Sequence, residues 1–219
     1  MLISCSFFMA AVGLSTALGA LSVALWNSTP LKWICEYGES PDGKYEKRNL
    51  RFRVFVPPFS LLFLSYCIVH VYFRKEEIIP LPQLFLMFCL LQLSVSDIKF
   101  HILQDQWILA ITMVSFWFSC TYDERLWGFI VPFLLYGITA LLSQKKKNGP
   151  MFGMGDIKLL GCLGFCFGPL GLYVICCVAL LSSGLCSLGL LLLKKTTKKS
   201  RIAFGPFIGI ACIYFLLST

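Results

Sequence analysis

Charged residues are scarce in this chain of 219 amino acids. Asp, Glu, Lys and Arg together make up 14% of the sequence, whereas 58% of the residues are hydrophobic. A soluble domain usually carries about a quarter charged residues. So little polar surface cannot cover a water-exposed globule, which excludes an ordinary soluble protein and predicts an integral membrane protein.

Paired metal-binding motifs are also lacking, although cysteine is not. The chain has 11 cysteines but no pair of CxxC motifs, and only Cys35 lies in a polar loop. Structural zinc sites usually combine Cys or His ligands at short, paired spacings. Cys162 and Cys166 are four residues apart within an apolar run and fit small packing residues better than ligands. The sequence therefore predicts no metal site.

The net charge of +8 comes from basic residues that lie between apolar runs rather than along one polar face. Such a distribution is typical of the loops of a membrane protein. We therefore expect a lipid bilayer as the surroundings and no nucleic-acid partner.

Several apolar runs reach the ~20 residues that a helix needs to cross a bilayer. They predict an all-α, polytopic membrane bundle of about eight segments, in a single domain covering residues 1–219. The run from Ile157 to Leu193 is too long for one segment, and Gly168-Pro169-Leu170-Gly171 should break it. The expected segments are approximately Leu2–Trp26, Phe55–Phe73, Leu81–Ser96, Gln106–Cys120, Leu126–Ser143, Ile157–Phe167, Leu172–Leu193 and Phe204–Leu217.

The basic residues predict an orientation. With the N-terminus outside, 16 of the 19 Lys and Arg residues fall on the inner side, including those of the short polar loop 27–54 after the first segment. Cytoplasmic loops of membrane proteins carry such an excess. Because two segments separate Asp97 from Asp156, this count places both aspartates at the cytoplasmic face.

Asp97 and Asp156 are the candidate chemical groups. Asp97 ends the third segment, and Asp156 opens the sixth, following Gly153 and Gly155. Ionisable groups at membrane depth are costly and usually functional. Two carboxylates brought together tend to share a proton, so one can accept a proton from water while the other donates one to a carbonyl. The two glycines permit tight turns and close approach to a peptide backbone.

The residues alone leave other interpretations open. Asp156 could cap the sixth helix, and Asp97 could merely end the third. The pair could relay protons in a proton-coupled transporter, or belong to an inactive structural subunit of a pilus or secretion assembly. His101 could bond to Asp97, but we expect an ordinary loop histidine. Asp105 could support Asp97, but we expect it to cap the fourth helix, and Lys158 could act on Asp156 or anchor to lipid phosphates.

Three motifs resemble those of the type IV prepilin peptidases. Gly153 to Leu160 is similar to the family's GxGD-x-K-L motif. Asp97 to Asp105 is similar to its first aspartate motif, D-x6-P-D, with Gln104 in place of the proline. Ile202 to Phe207 resembles its C-terminal F-G-P segment. The motifs lie in the family's order, and the resemblance covers about residues 80–215.

The resemblance implies an aspartic endopeptidase with Asp97 and Asp156 as its catalytic pair. It implies cleavage of a basic leader, after a glycine, from prepilins or pseudopilins at the cytoplasmic face of the bacterial inner membrane. The supporting residues would be Gly153, Gly155, Lys158, Asp105, Gly205 and Pro206.

Many members of the family carry a larger cytoplasmic domain after the first helix. That domain has paired zinc-binding CxxC motifs and is linked to methylation of the new N-terminus. The loop of this chain is short and holds only Cys35. We therefore expect no zinc and no S-adenosylmethionine, unless the protein is also a methyltransferase.

Overall fold

The structure, a computed structural model, describes residues 5–30, 49–74, 81–144, 153–193 and 203–218. The elements in these ranges are all helical, as the sequence predicts. A 3₁₀ turn at Ser115–Trp117 follows the fourth helix. The helices are α1 (Cys5–Ser28), α2 (Phe52–Arg74), α3 (Leu81–Phe100), α4 (Asp105–Val114), α5 (Tyr122–Gln144), α6 (Met154–Leu192) and α7 (Gly205–Ser218).

Five of these helices, α1, α2, α3, α5 and α6, are long and apolar enough to cross a membrane. The shorter α7 is apolar but has 14 residues. Among the described residues the structure thus shows five candidate spans. The sixth and seventh expected segments both lie within α6, and a total of eight spans is not shown. The predicted fourth segment differs most, because α4 has only 10 residues. At 1.5 Å per residue it is about 15 Å long, roughly half the thickness of a bilayer core.

Arg125 helps to explain why the chain turns after α4. The guanidinium is almost fully buried at the start of α5. It donates hydrogen bonds to the backbone carbonyls of Ser115, at 2.7 Å, and of Phe118. It also lies 5.8 and 5.5 Å from the ring centroids of Phe116 and Phe165. These carbonyls provide the hydrogen-bond acceptors that a buried cation needs. The same hydrogen bonds stabilise the turn that follows the end of α4.

The predicted break in the long apolar run of α6 is confirmed. Gly168 has φ 72° and ψ −179°, within an element of 39 residues that is helical on both sides. This φ is readily accessible only to glycine, and Pro169 has no N–H to donate to the preceding turn. We call residues 154–167 the N-terminal arm of α6 and residues 169–192 its C-terminal arm.

The main core lies where α3, the N-terminal arm of α6 and α7 meet. α3 packs against α4 and α7, and α6 packs against α4, α5 and α7. Fully buried side chains from two of these helices include Leu86, Leu93, Leu159 and Leu163. α1 and α2 form a second pair beside α3. This arrangement brings the end of α3 and the starts of α6 and α7 into one region.

α5 and α6 come into close backbone contact at Gly128 and Gly164. A Cβ built on either glycine would collide with the backbone carbonyl of the other. The two helices can therefore cross this closely only because neither residue has a side chain. Gly128→Ala should lower the stability of the protein by about 1–3 kcal/mol, because the two helices must move apart. The melting temperature of the detergent-solubilised protein measures this loss.

Gly137→Ala is the matched control, because Gly137 lies on the same helix. A Cβ at this position has no atom within 4 Å, and alanine is the better helix former. We expect an unchanged or slightly higher melting temperature. Equal losses in the two variants would contradict the tight crossing.

Candidate active site

Asp97 lies in the last turn of α3, where it is 6% exposed. Its Oδ2 accepts a hydrogen bond of 2.6 Å from the backbone N–H of Gly205. Gly205 is the first residue of α7, so this N–H is one of the donors that a helix start leaves without an internal partner. The positive end of the α7 dipole also favours a carboxylate at this place. The start of α7 thereby fixes the orientation of Asp97.

The sequence of the α7 start suits this contact. A Cβ at Gly205 would lie 2.9 Å from Oδ2 of Asp97 and 3.2 Å from its Cβ. Only glycine therefore lets the aspartate come this close to the backbone. Pro206 follows within the first turn of the helix. Backbone N–H groups have no partner within the helix at this place, so the lack of an N–H in proline costs no hydrogen bond. The sequence had indicated a supporting role for both residues, but not that the contact runs through a backbone N–H.

Asp156 lies in the first turn of α6, half-buried. The N-cap residue of this helix is Gly153, whose φ of −68° and ψ of 144° are extended. The Asp156 carboxylate turns back toward it, with Oδ2 3.3 Å from the place that a Gly153 Cβ would occupy. Asp156 is therefore not the N-cap residue, and its charge lies at the positive end of the α6 dipole.

The carboxylates of Asp97 and Asp156 lie close enough to interact electrostatically. The path of the chain explains this, because α4 leads away from the end of α3 and α5 returns to the start of α6. The two aspartates therefore lie at the same end of the bundle. Two neighbouring carboxylates can hold one proton between them, which leaves one group to accept a proton and the other to donate one.

The connection between α3 and α4 packs against the first turn of α6. A Cβ at Gly155 would lie 3.2 Å from the Leu103 Cβ, so the glycine makes room for this leucine. Nζ of Lys158 lies 2.9 and 3.0 Å from the two carboxylate oxygens of Asp105. Both side chains are more than a third exposed, so the pair adds little net stability. Its effect is to hold the start of α4 beside the start of α6.

The expectation that Asp105 caps α4 is wrong, because the N-cap residue is Gln104 and it makes no side-chain cap. Lys158 forms an ion pair with Asp105, a contact that the sequence did not predict, and its anchoring to lipid phosphates stays a prediction. The two partners are 53 residues apart, so local sequence patterns could not pair them.

His101 ends α3 in an uncommon backbone conformation. Its φ is 55°, a left-handed region that costs a residue with a side chain roughly 1–2 kcal/mol. Its N–H donates a 2.9 Å hydrogen bond to the Asp97 carbonyl. Its Nδ1 lies 4.0 Å from Oδ1 of Asp97, and half of its side chain is exposed. This distance is too long for a hydrogen bond, so the side-chain hydrogen bond considered for this pair is not formed.

Among the described residues, no three His, Cys, Asp or Glu side chains form a group that could hold a metal ion. Nine cysteines in these ranges are free thiols. Cys35 and the rest of the polar segment 31–48 lie outside the described residues, as do the basic loops at 145–152 and 194–202. The expectation that the protein binds no zinc therefore stays a prediction.

Part of this chain is similar to known proteins. The model of the type IV leader peptidase family matches residues 84–193, half of the chain, and this range holds both Asp97 and Asp156. The prepilin leader peptidase/N-methyltransferases of Aeromonas salmonicida (strain A449) and Aeromonas hydrophila are each 33% identical to this chain over 84 residues. The similar stretch covers 38% of this chain but only 28% of either relative. No solved structure matches the chain.

The resemblance seen in the motifs is thus supported over half of the chain, by a match that includes two of the three motifs. The third motif, at the start of α7, lies beyond the matched range but contacts Asp97. The chain belongs to the type IV leader peptidase family.

Proposed function

We propose that this protein is a membrane aspartic endopeptidase that cleaves the leader from prepilins or pseudopilins. The observation that carries the proposal is that Asp97 and Asp156 lie at one end of the bundle, within reach of each other's charge. Membership of the type IV leader peptidase family supports the same activity. The two Aeromonas relatives are named prepilin leader peptidase/N-methyltransferase, but the similarity covers only part of their length.

The proposed reaction uses the pair through a water molecule. The ionised carboxylate takes a proton from the water as the water oxygen attacks the carbonyl carbon of the scissile peptide bond. The protonated carboxyl group donates its proton to the carbonyl oxygen. In the second step the carboxyl group that took the water proton passes it to the amide nitrogen, and the other, now ionised, carboxylate takes a proton from one hydroxyl of the diol as the C–N bond breaks. The products are a carboxylic acid and a free amine. Each aspartate then has the protonation that it needs for another cycle.

The contacts of Asp97 suggest how the water is held. Its Oδ2 is bonded to the N–H of Gly205, which leaves Oδ1 to face the reacting atoms. A fixed carboxylate loses no orientational freedom when the substrate arrives. Asp156 is more exposed than Asp97, so a peptide can approach from its side of the pair.

We further propose that the site faces the cytoplasm at the bacterial inner membrane, with the N-terminus of the chain outside. The excess of Lys and Arg on one side supports this orientation, and five candidate spans make the chain a multi-pass membrane protein. Asn27 and Leu50 join the ends of the polar loop through hydrogen bonds of 3.0 and 2.8 Å. Trp26, at the start of this loop, stacks on Phe100 of α3 with ring centroids 6.3 Å apart. The loop thus leaves and rejoins the bundle beside the end of α3.

The proposed activity is hydrolysis alone. The polar segment of the chain has no paired CxxC motifs, and S-adenosylmethionine would be required only for a second, methylating activity. We also propose supporting roles for Gly153 and Gly155, because Gly153 is the N-cap residue of α6 and Gly155 leaves room for Leu103.

The test is to incubate the purified protein in liposomes with a prepilin that carries its basic leader. Mass spectrometry of the product should show the loss of the leader after a glycine, and no added methyl group when S-adenosylmethionine is present. An added methyl group would contradict the hydrolysis-only proposal. Well-folded protein that cleaves none of several prepilins, but conducts protons in an Asp97-dependent way, would instead favour a transporter.

A further inference from the structure

His101 has a backbone conformation that is uncommon for a residue with a side chain. The left-handed conformation after α3 is most easily adopted by glycine, and next by asparagine, aspartate and histidine. His101 has φ 55° and ends the helix through its N–H. A residue that is held in a less favourable conformation often has a functional role. The side chain therefore requires a separate explanation.

The position of the His101 side chain beside Asp97 provides an explanation for the histidine. Oδ2 of this carboxylate is held by the N–H of Gly205, whereas Oδ1 lies 4.0 Å from Nδ1 of His101. The imidazole is half-exposed, while the Asp97 side chain is 8% exposed. His101 thus lies between solvent and the free oxygen of the proposed catalytic pair.

We propose that His101 is a positioning residue whose protonated imidazole stabilises the ionised carboxylate of Asp97, and so extends peptide cleavage to lower pH. This inference rests on the proposed function of the pair. Histidine side chains change charge between about pH 5 and pH 8. When it is protonated, the imidazolium attracts the carboxylate and opposes its protonation. When the imidazole is neutral, this attraction disappears.

Within the part of the chain that the structure describes, the other charged groups near the site make contacts of their own. On α3, Lys99 lies over the Trp26 ring, 5.8 Å from its centroid. On α6, Lys158 is bonded to Asp105 of α4. Asp156 interacts with Asp97 as a like charge and so favours protonation of the pair. The first turn of α7 contributes a backbone N–H rather than a charged side chain.

The first test is the pH dependence of leader cleavage by His101→Asn. Asparagine tolerates the left-handed backbone but carries no charge. The acidic limb of the rate profile should move to higher pH by roughly one unit, the lower end of the range for opposite charges 4–6 Å apart. We expect this low value because His101 is half-exposed. Well below the midpoint of the acidic limb this shift corresponds to a roughly tenfold slower rate, and the difference should shrink toward pH 8.

His101→Lys is the rescuing variant, because lysine keeps a positive charge through the whole pH range. It should return the acidic limb toward its wild-type position. A backbone-only role for His101 predicts the opposite pattern, since asparagine would then behave as wild type and lysine would bring no gain. Superimposable profiles of wild type and His101→Asn would overturn the inference while the proposed cleavage stands.

A second measurement does not depend on cleavage. The melting temperature of wild type should exceed that of His101→Asn by more at pH 5.5 than at pH 8, because a histidine that gains an anionic partner stabilises the fold only while it is protonated. In an Asp97→Asn background this pH-dependent difference should vanish. A difference that is the same at both pH values would overturn the inference. If the difference widens at low pH but no prepilin is cleaved, the pairing stands and the proposed function fails.

Discussion

Asp97→Asn and Asp156→Asn should each reduce leader cleavage by about 10²–10⁴-fold or more, the contribution of one general acid or base. Asparagine has nearly the shape of aspartate but can neither accept a proton from water nor donate one to a carbonyl. The fold should survive, because the side-chain oxygen of an asparagine at position 97 can still accept the Gly205 N–H. Mass spectrometry of the prepilin measures the cleavage, and the melting temperature checks the fold.

Asp123→Asn is the matched control for these two variants. Asp123 lies in the first turn of α5 and is exposed, so the same chemical change there should leave the cleavage rate within about twofold of wild type. Full cleavage by a folded Asp97→Asn or Asp156→Asn protein would remove that residue from the mechanism.

Gly205→Ala should reduce cleavage by about 10²-fold, although residue 205 has no reactive side chain. The added Cβ would lie 2.9 Å from Oδ2 of Asp97, so the carboxylate must rotate away or the start of α7 must move. Either change breaks the 2.6 Å hydrogen bond that orients Asp97. Single-turnover cleavage of a prepilin measures the loss of rate, separately from any loss of substrate binding.

Gly209→Ala places the same change one turn further along α7. The one atom that its Cβ would meet within 4 Å is Oγ of Ser94, at 3.3 Å, and a serine hydroxyl can rotate away. This control should keep near-normal activity, which separates contact with Asp97 from a general effect of alanine in α7. Wild-type rates for Gly205→Ala would show that Asp97 does not depend on the start of α7.

The placement of Asp97 and Asp156 could be predicted from the sequence, because apolar runs and charges carry the information. Asp97 and Asp156 mark the ends of two such runs, and the two segments between them indicated that they lie at the same end of the bundle. The break at Gly168 was also predictable, because a glycine-proline pair interrupts a run that is too long for one span. These features follow from local composition and depend little on distant contacts.

The end of α4 and the partners of the site residues could not be predicted, because they depend on contacts between residues that are far apart in the sequence. The apolar run after Asp105 looks long enough for a membrane segment, yet the helix ends at Val114, where Arg125 of the next helix binds the carbonyls that follow. Lys158 shows no local sign that Asp105 is its partner. The N–H of Gly205 can be assigned to Asp97 only once α7 is placed beside α3.

The most direct test of the central claim, that the two aspartates work as one catalytic unit, is to compare leader release by wild type, Asp97→Asn, Asp156→Asn and the double variant. When two residues act as one catalytic unit, substitution of either residue already removes nearly all of the rate enhancement that the pair provides. We therefore predict that the three variants are equally slow. A double variant that is much slower than either single one, or substantial cleavage by either single variant, would contradict a shared site.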